Sequence, residues 1–355
     1  MVPDHPTTAL PAISAQLSHT HPAILAPLPL LALLILALLA HWLLLVGWTI
    51  WRLTRPPRRT TGTALGQGRP VDPSRLTPPR VFAEWSITHR GATCPVWDIS
   101  GDDPSGPVIV FSHGWGDSRI GALSRVQALA PHASRLIAWD MPGHGDATGT
   151  CSLGTHEVDA LQQLLTHLAS TREAPQRVVL FGWSLGAGVS IAAASAPGPS
   201  QSLTPGVERK TPSSDAGVRI IGVIAESPYR DAPTPARNVL AMQGLPHRSN
   251  LMPALWCIGT DARVGSTLTR RDPRFDRAAH AQSLRERSIS LLILHGDADP
   301  ISPLADAQAI AIAAAATLEV IPAGGHFGLW TDPRFAAEVT DAAVRWLARS
   351  CKKLA

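Results

Sequence analysis

One short run combines residue types suited to nucleophilic chemistry: Gly182-Trp183-Ser184-Leu185-Gly186. β-Forming residues from Arg177 to Phe181 lead into it, and a small-residue helical run, Val189 to Ala196, follows. G-x-S-x-G between a strand and a helix is the pattern of a nucleophile elbow. The serine of such a turn takes a strained backbone conformation, and bulk at Gly182 or Gly186 would strike the neighbouring strand and helix. The turn lifts the Ser184 hydroxyl off the sheet and sets it at a helix N-terminus, where the dipole favours developing negative charge. Five residues alone fit a plain glycine-rich turn equally well, so their partners decide the reading.

A serine hydroxyl is a weak nucleophile at neutral pH. It needs an imidazole to take its proton and a carboxylate to orient that imidazole. Two glycine-bearing stretches downstream offer both: His295-Gly296-Asp297-Ala298-Asp299-Pro300 and Gly324-Gly325-His326. A third, His113-Gly114-Trp115-Gly116-Asp117-Ser118, is a turn able to aim the Trp115 backbone N–H at the point reached by that of Leu185. Such a pair makes an oxyanion hole, in which one donor is worth about 3–4 kcal/mol of transition-state stabilisation. The same residues also read as a strand-to-helix turn capped by Asp117 and Ser118.

These stretches must be held by a frame, and the chain from Val81 onward supplies one. Val81 to Thr88 and Pro95 to Ile99 read as an opening strand pair. Pro107 to Ser112 is a continuous apolar run, as expected of a strand buried on both faces. Strands follow at 135–139, 177–181, 218–225, 289–294 and 317–321, with helices over 118–130, 157–169, 304–316 and 336–349. This alternation predicts an α/β fold with a doubly wound, mostly parallel sheet covered on both faces. Ligands of such sheets bind at the carboxyl ends of the strands, where all four stretches above fall. Residues 197–217, rich in Ser, Pro and Gly, read as a flexible loop, and 230–288 is long enough to be a small cap.

The order of Ser184, Asp299 and His326, together with Asp140-Met141-Pro142-Gly143-His144-Gly145, makes the chain from about residue 81 resemble the α/β-hydrolase fold superfamily. The resemblance is to bacterial serine hydrolases of esterase, lysophospholipase and aminopeptidase-like type. It implies Ser184 as nucleophile, His326 as general base and then acid, and Asp299 as its orienting carboxylate, with Asp297 and Glu226 as alternatives for the acid. Trp115 and Leu185 are the expected oxyanion donors, and His113, His144 and His295 are expected to hold loops. Neither a cofactor nor a metal is implied.

The N-terminal part differs in kind. Residues 1–22 read as a disordered tail, and 23–51 contain no Asp, Glu, Lys or Arg. Their apolar length suffices for a transmembrane helix, and Trp42, Trp48 and Trp51 suit an interface. Residues 52–80, rich in Pro and Gly, carry seven arginines against Asp72 and read as a basic linker, which leaves 81–355 as a nearly neutral hydrolase domain. That neutrality argues against nucleic-acid binding. Arg52, Arg55, Arg58 and Arg59 after the span place the catalytic domain in the cytoplasm, single-pass at the inner (plasma) membrane, by the positive-inside rule. Cys94, Cys151, Cys257 and Cys351 are scattered and read as structural thiols.

The expectation is therefore a membrane-anchored serine hydrolase acting on a small-molecule or lipid ester through an acyl-enzyme. The alternatives are a serine aminopeptidase-like peptidase, with Asp261 or Asp272 gripping a peptide N-terminus, and a non-catalytic scaffold of the same fold. Ser184 in place of aspartate excludes a dehalogenase.

Overall fold

The computed structural model describes residues 27–171, 176–196, 217–261, 265, 266, 268 and 274–352. The tail expected over 1–22, nearly all of the loop over 197–217, and Asp272 lie outside the described residues. The chain divides after Leu45 into two units.

Helix α1 (Pro27–Thr54) starts with prolines in its first turn, where no backbone N–H is needed. By length and composition the helix from Pro29 to Thr54 is long and apolar enough to cross a membrane, although Val46, Thr49 and Leu53 in its last turns are buried in the second unit. In the first unit the leucines from Leu30 to Leu44, together with Ile35, stand exposed around the helix.

The second unit is built on eight strands: β1 (Phe82–His89), β2 (Ala92–Ser100), β3 (Val108–Ser112), β4 (Arg135–Trp139), β5 (Gln176–Trp183), β6 (Val218–Glu226), β9 (Ser290–Gly296) and β10 (Thr317–Ile321). Their order is β1-β2-β4-β3-β5-β6-β9-β10. Only β1–β2 and β2–β4 pair antiparallel; the remaining neighbours are parallel. Alternate residues serve opposite faces. Val108, Val110, Val178 and Leu180 face a core shared with α4 (His156–Ser170), α5 (Leu185–Ser195), α8 (Arg277–Glu286) and α9 (Leu304–Ala314). Ile109, Phe111, Val179 and Phe181 face a second core under α3 (Leu123–Leu129) and α10 (Pro333–Lys352). A strand buried on both sides has no polar positions, which is why these runs are continuously apolar. Register brings the carboxyl ends level: Ser112 pairs Gly182, Trp183 pairs Glu226, and Glu226 pairs Leu294.

Two expectations change. The stretch read as a linker is folded: it contains α2 (Thr61–Gly66), and Leu53, Pro56, Ala64 and Leu76 are buried. Arg52, Arg58, Arg59 and Arg80 are engaged as well, Arg58 donating to the carbonyls of Gly145 and Ala147 at 3.0 and 2.7 Å. Proline and arginine dominate its composition and conceal the few apolar residues that dock it. The insertion read as a cap over 230–288 also ends earlier. It comprises α6 (Pro233–Met242), α7 (Leu251–Ile258) and the short pair β7 (Thr260–Asp261) and β8 (Gly265–Ser266). Helix α8 instead packs against α5 and α9 as the crossover helix between β6 and β9.

Arg125 of α3 reaches across to Glu226 at the end of β6, with Nε and Nη2 donating to the carboxylate at 2.9 and 2.7 Å. Both residues are buried, and the guanidinium lies 4.1 Å from the centroid of the Trp183 ring. Arg125→Leu strands a buried carboxylate, so urea unfolding in detergent should show a loss of about 3–5 kcal/mol. Adding Glu226→Leu should restore most of it; a single variant as stable as the wild type would contradict this account.

Candidate active site

The turn from β5 into α5 holds Ser184 at φ 53° and ψ −115°. That conformation is costly for a residue with a side chain and persists only where the surroundings enforce it. The enforcement is steric. A Cβ on Gly182 would lie 2.1 Å from the carbonyl oxygen of Gly186, and one on Gly186 would lie 1.9 Å from that of Ser112. The Ser184 N–H donates to the Glu226 carbonyl at 2.8 Å, which fastens the elbow to β6.

From the turn after β10, His326 lies with Nε2 2.9 Å from Ser184 Oγ and Nδ1 2.7 Å from Asp299 Oδ2. A carboxylate only accepts, so Nδ1 carries the proton and Nε2 is left to accept from the serine hydroxyl. Asp299 Oδ1 accepts from the backbone N–H groups of Ile301 and Ser302, both at 2.8 Å. Burial pushes the Asp299 pKa up, but the His326 hydrogen bond and charge, with these two amides, outweigh it and hold it below the usual carboxylate range. The alternatives for the acid point elsewhere. Asp297 is exposed and accepts from Ala323 N–H at 2.7 Å, and Glu226 is occupied by Arg125.

Beside Ser184 runs the turn after β3. A Cβ on Gly114 would lie 3.3 Å from the Ser184 Cβ, so this glycine is what allows the turn so close. Trp115 and Leu185 both line the cavity that contains Ser184 and His326. Leu185 opens α5, and the first N–H groups of a helix have no partner within it. The cavity measures about 520 Å³, the size of a small-ligand site. Its walls are largely apolar, with Leu153, Tyr229, Ala236, Val239 and Met242 among them and Phe327 beside His326. The cap is tied to the triad loop by Asn238, which donates to the Ile301 carbonyl at 2.9 Å. Leu53, Pro57, Arg58 and Arg59 also line the cavity. Sequence reasoning missed these four, since nothing in a Pro- and Arg-rich stretch signals packing against residues a hundred positions away.

The remaining polar groups serve the frame. Arg119 donates to the Asp140 carboxylate from its backbone N–H at 2.6 Å and from Nη1 at 2.7 Å. Among the described residues, no group of three or more His, Cys, Asp or Glu could hold a metal ion. All four cysteines are free, and burial pushes the Cys94 thiol up to about 12, so it stays protonated and inert.

His113 donates from Nδ1 to the Gly114 carbonyl at 2.8 Å and accepts the Met141 N–H on Nε2 at 2.9 Å. Its ring lies 4.8 Å from that of His144, which donates to the Pro142 carbonyl at 3.0 Å. Burial pushes His113 down to about 4 and His144, with His113 as its neighbour, down to about 3. The folded state thus keeps both neutral, whereas the unfolded chain protonates them near 6.5. Their contribution to stability is complete above that value and is lost as the pH falls towards the folded-state values. The slope is about 1.4 kcal/mol per pH unit for each histidine. Equilibrium unfolding should therefore show a marked loss of stability from pH 7 to pH 5, and a flat profile would contradict the burial of neutral imidazoles.

The comparisons with known proteins give a family and a fold. A family model described as the alpha/beta hydrolase family matches residues 109–339. A curated pimeloyl-acyl-carrier protein methyl ester esterase of Vibrio atlanticus (strain LGP32) is 36% identical over 90 residues, covering 25% of this chain and 30% of that protein. Among solved structures, an esterase of Pyrococcus furiosus superposes with a TM-score of 0.58 at 18% identity, covering 84% of this chain and 98% of that one. The alpha/beta hydrolase GrgF of Penicillium sp. sh18 gives 0.53 at 15% identity, covering 77% and 99%. The structural likenesses establish the fold, and the family model spans most of the chain. The protein belongs to the alpha/beta hydrolase family.

Proposed function

We propose that the protein is a membrane-anchored serine hydrolase that cleaves a carboxylic ester, with an apolar acyl chain, through an acyl-enzyme. The observation that carries this reading is the continuous hydrogen-bond chain from Ser184 through His326 to Asp299, opening into an apolar cavity. His326 Nε2 takes the hydroxyl proton as Ser184 Oγ attacks the ester carbonyl carbon. The Trp115 and Leu185 N–H groups receive the negative charge on the carbonyl oxygen, and Asp299 stabilises the imidazolium. His326 then protonates the departing alcohol. Water, deprotonated by the same nitrogen, releases the acid and restores the serine.

An acyl-lipid substrate is favoured by the length of apolar wall and by the anchor. The anchor reading rests on the length and apolar character of α1. A removable leader is disfavoured because Thr49 and Leu53, in the last turns of that helix, are buried in the second unit. The name of the Vibrio relative, an esterase of an acyl methyl ester, is in keeping with an acyl chain beside the nucleophile. Arginines at 52, 55, 58 and 59 favour a cytoplasmic catalytic domain.

In a p-nitrophenyl ester assay, Ser184→Ala and His326→Ala should each lower kcat by about a thousandfold or more, with smaller effects on KM. Asp299→Asn should act in the same direction, whereas Asp297→Asn should stay within about threefold of the wild type. Activity retained in Ser184→Ala, or lost in Asp297→Asn rather than Asp299→Asn, would overturn the assignment.

A further inference from the structure

The last turns of α1 and the residues after them reach the ester site itself. Leu53 is only 2% exposed and lines the cavity, in the same core as Leu153, Leu185, Tyr229 and Ala236. Its carbonyl accepts the Trp115 indole N–H at 2.9 Å. Arg52 lies 5.3 Å over the same indole and donates to Gln243 Oε1 of the cap at 2.9 Å. Around this contact the backbone is fixed at several points. Asn250 donates to Thr49 Oγ1 at 2.6 Å, and Cys151 N–H donates to the Thr54 carbonyl at 2.9 Å. Gly116, at φ +73°, lies beside Pro57, where a Cβ would meet it at an ordinary 3.7 Å.

A solvated tether would share none of this. We propose that this turn of helix is a working part of the ester site: Leu53 is a specificity-determining wall of the acyl pocket, and its carbonyl positions Trp115. The inference rests on the reading of Ser184 as the nucleophile and adds the acyl preference of that same site. Trp115 can move only if its indole leaves Leu53, so the turn carrying its backbone N–H is held from the helix side. The acyl chain that fits lies along Leu53 towards Val239 and Met242, and each methylene buried there gains about fourfold in kcat/KM.

The test uses the full chain in detergent micelles and compares hydrolysis of p-nitrophenyl acetate, octanoate and dodecanoate. Leu53→Trp fills the pocket, and the octanoate-to-acetate ratio of kcat/KM should fall at least tenfold. Leu53→Ala opens it, and the preference should move towards chains longer than octanoate, which carries the test should the bulky variant fail to fold. Trp115→Phe keeps an aromatic ring, smaller than the indole, and removes the indole N–H. For that variant kcat should fall about tenfold on both esters with KM little changed, as expected of lost positioning rather than lost binding. Chain-length ratios within twofold of wild type in the folded Leu53 variants, or an unchanged kcat in Trp115→Phe, would overturn the proposal. Labelling by a fluorophosphonate separates this from failure of the underlying reading: a wild-type protein neither labelled nor active defeats the serine hydrolase assignment, whereas labelled variants with unmoved ratios defeat only the role of Leu53.

Discussion

The site depends on the close passage of β5, α5 and the end of β3 at two glycines. With hydrogen alone at Gly182 and Gly186, the chain can leave the sheet, place Ser184 at a positive φ, and enter a helix within three residues. The contacts that enforce this are backbone atoms, which cannot yield as a side chain can. Everything catalytic in the proposed reaction then follows from where the other strands end. In-register parallel pairing brings β3, β6, β9 and β10 to the same edge, so turns far apart in sequence deliver Trp115, Asp299 and His326 to one hydroxyl.

Around Ser184, His326 and Asp299 lies a shell of buried polar residues whose main contacts are local, with Arg119 Nε and His144 Nε2 left without a partner. Arg125 neutralises Glu226 immediately beneath the elbow, Arg119 holds Asp140, and the His113–His144 pair bridges turns by hydrogen bonds in its neutral form. Each would be costly if left unpaired in a dry interior. Together they fix the turns against which the substrate must be held. This arrangement explains why a domain rich in histidine near its site uses one imidazole at the serine and keeps the others uncharged.

Much of this was legible in the sequence because the governing constraints are local. Continuous apolar runs bounded by turn residues read as strands buried on both faces, and Gly-x-Ser-x-Gly gains its reading from the His- and Asp-bearing turns that follow the other strands. The resemblance favours Asp299 over Asp297 as the acid, and in the structure Asp299 accepts from the amides of Ile301 and Ser302 and faces His326. What stayed hidden depends on distant packing. The residues from Leu53 to Arg59 look like a spacer because their partners, among them Trp115, Gly145 and Ala147, lie far along the chain. Likewise α8 was assigned to the cap because its role as a crossover helix appears only when its packing on α5 and α9 is known.

The last turn of α1 does more than precede the α/β domain, since Leu53 lines the same cavity as Ser184. The central claim remains the activated hydroxyl of Ser184, and the most direct measurement is chemical. The full-length protein in detergent would be treated with a long-chain alkyl fluorophosphonate, digested and sequenced by tandem mass spectrometry. The account predicts one covalent adduct, on Ser184, formed far faster than on the other serines and abolished when His326 is replaced. An adduct on a different serine, or none on the folded protein, would contradict it.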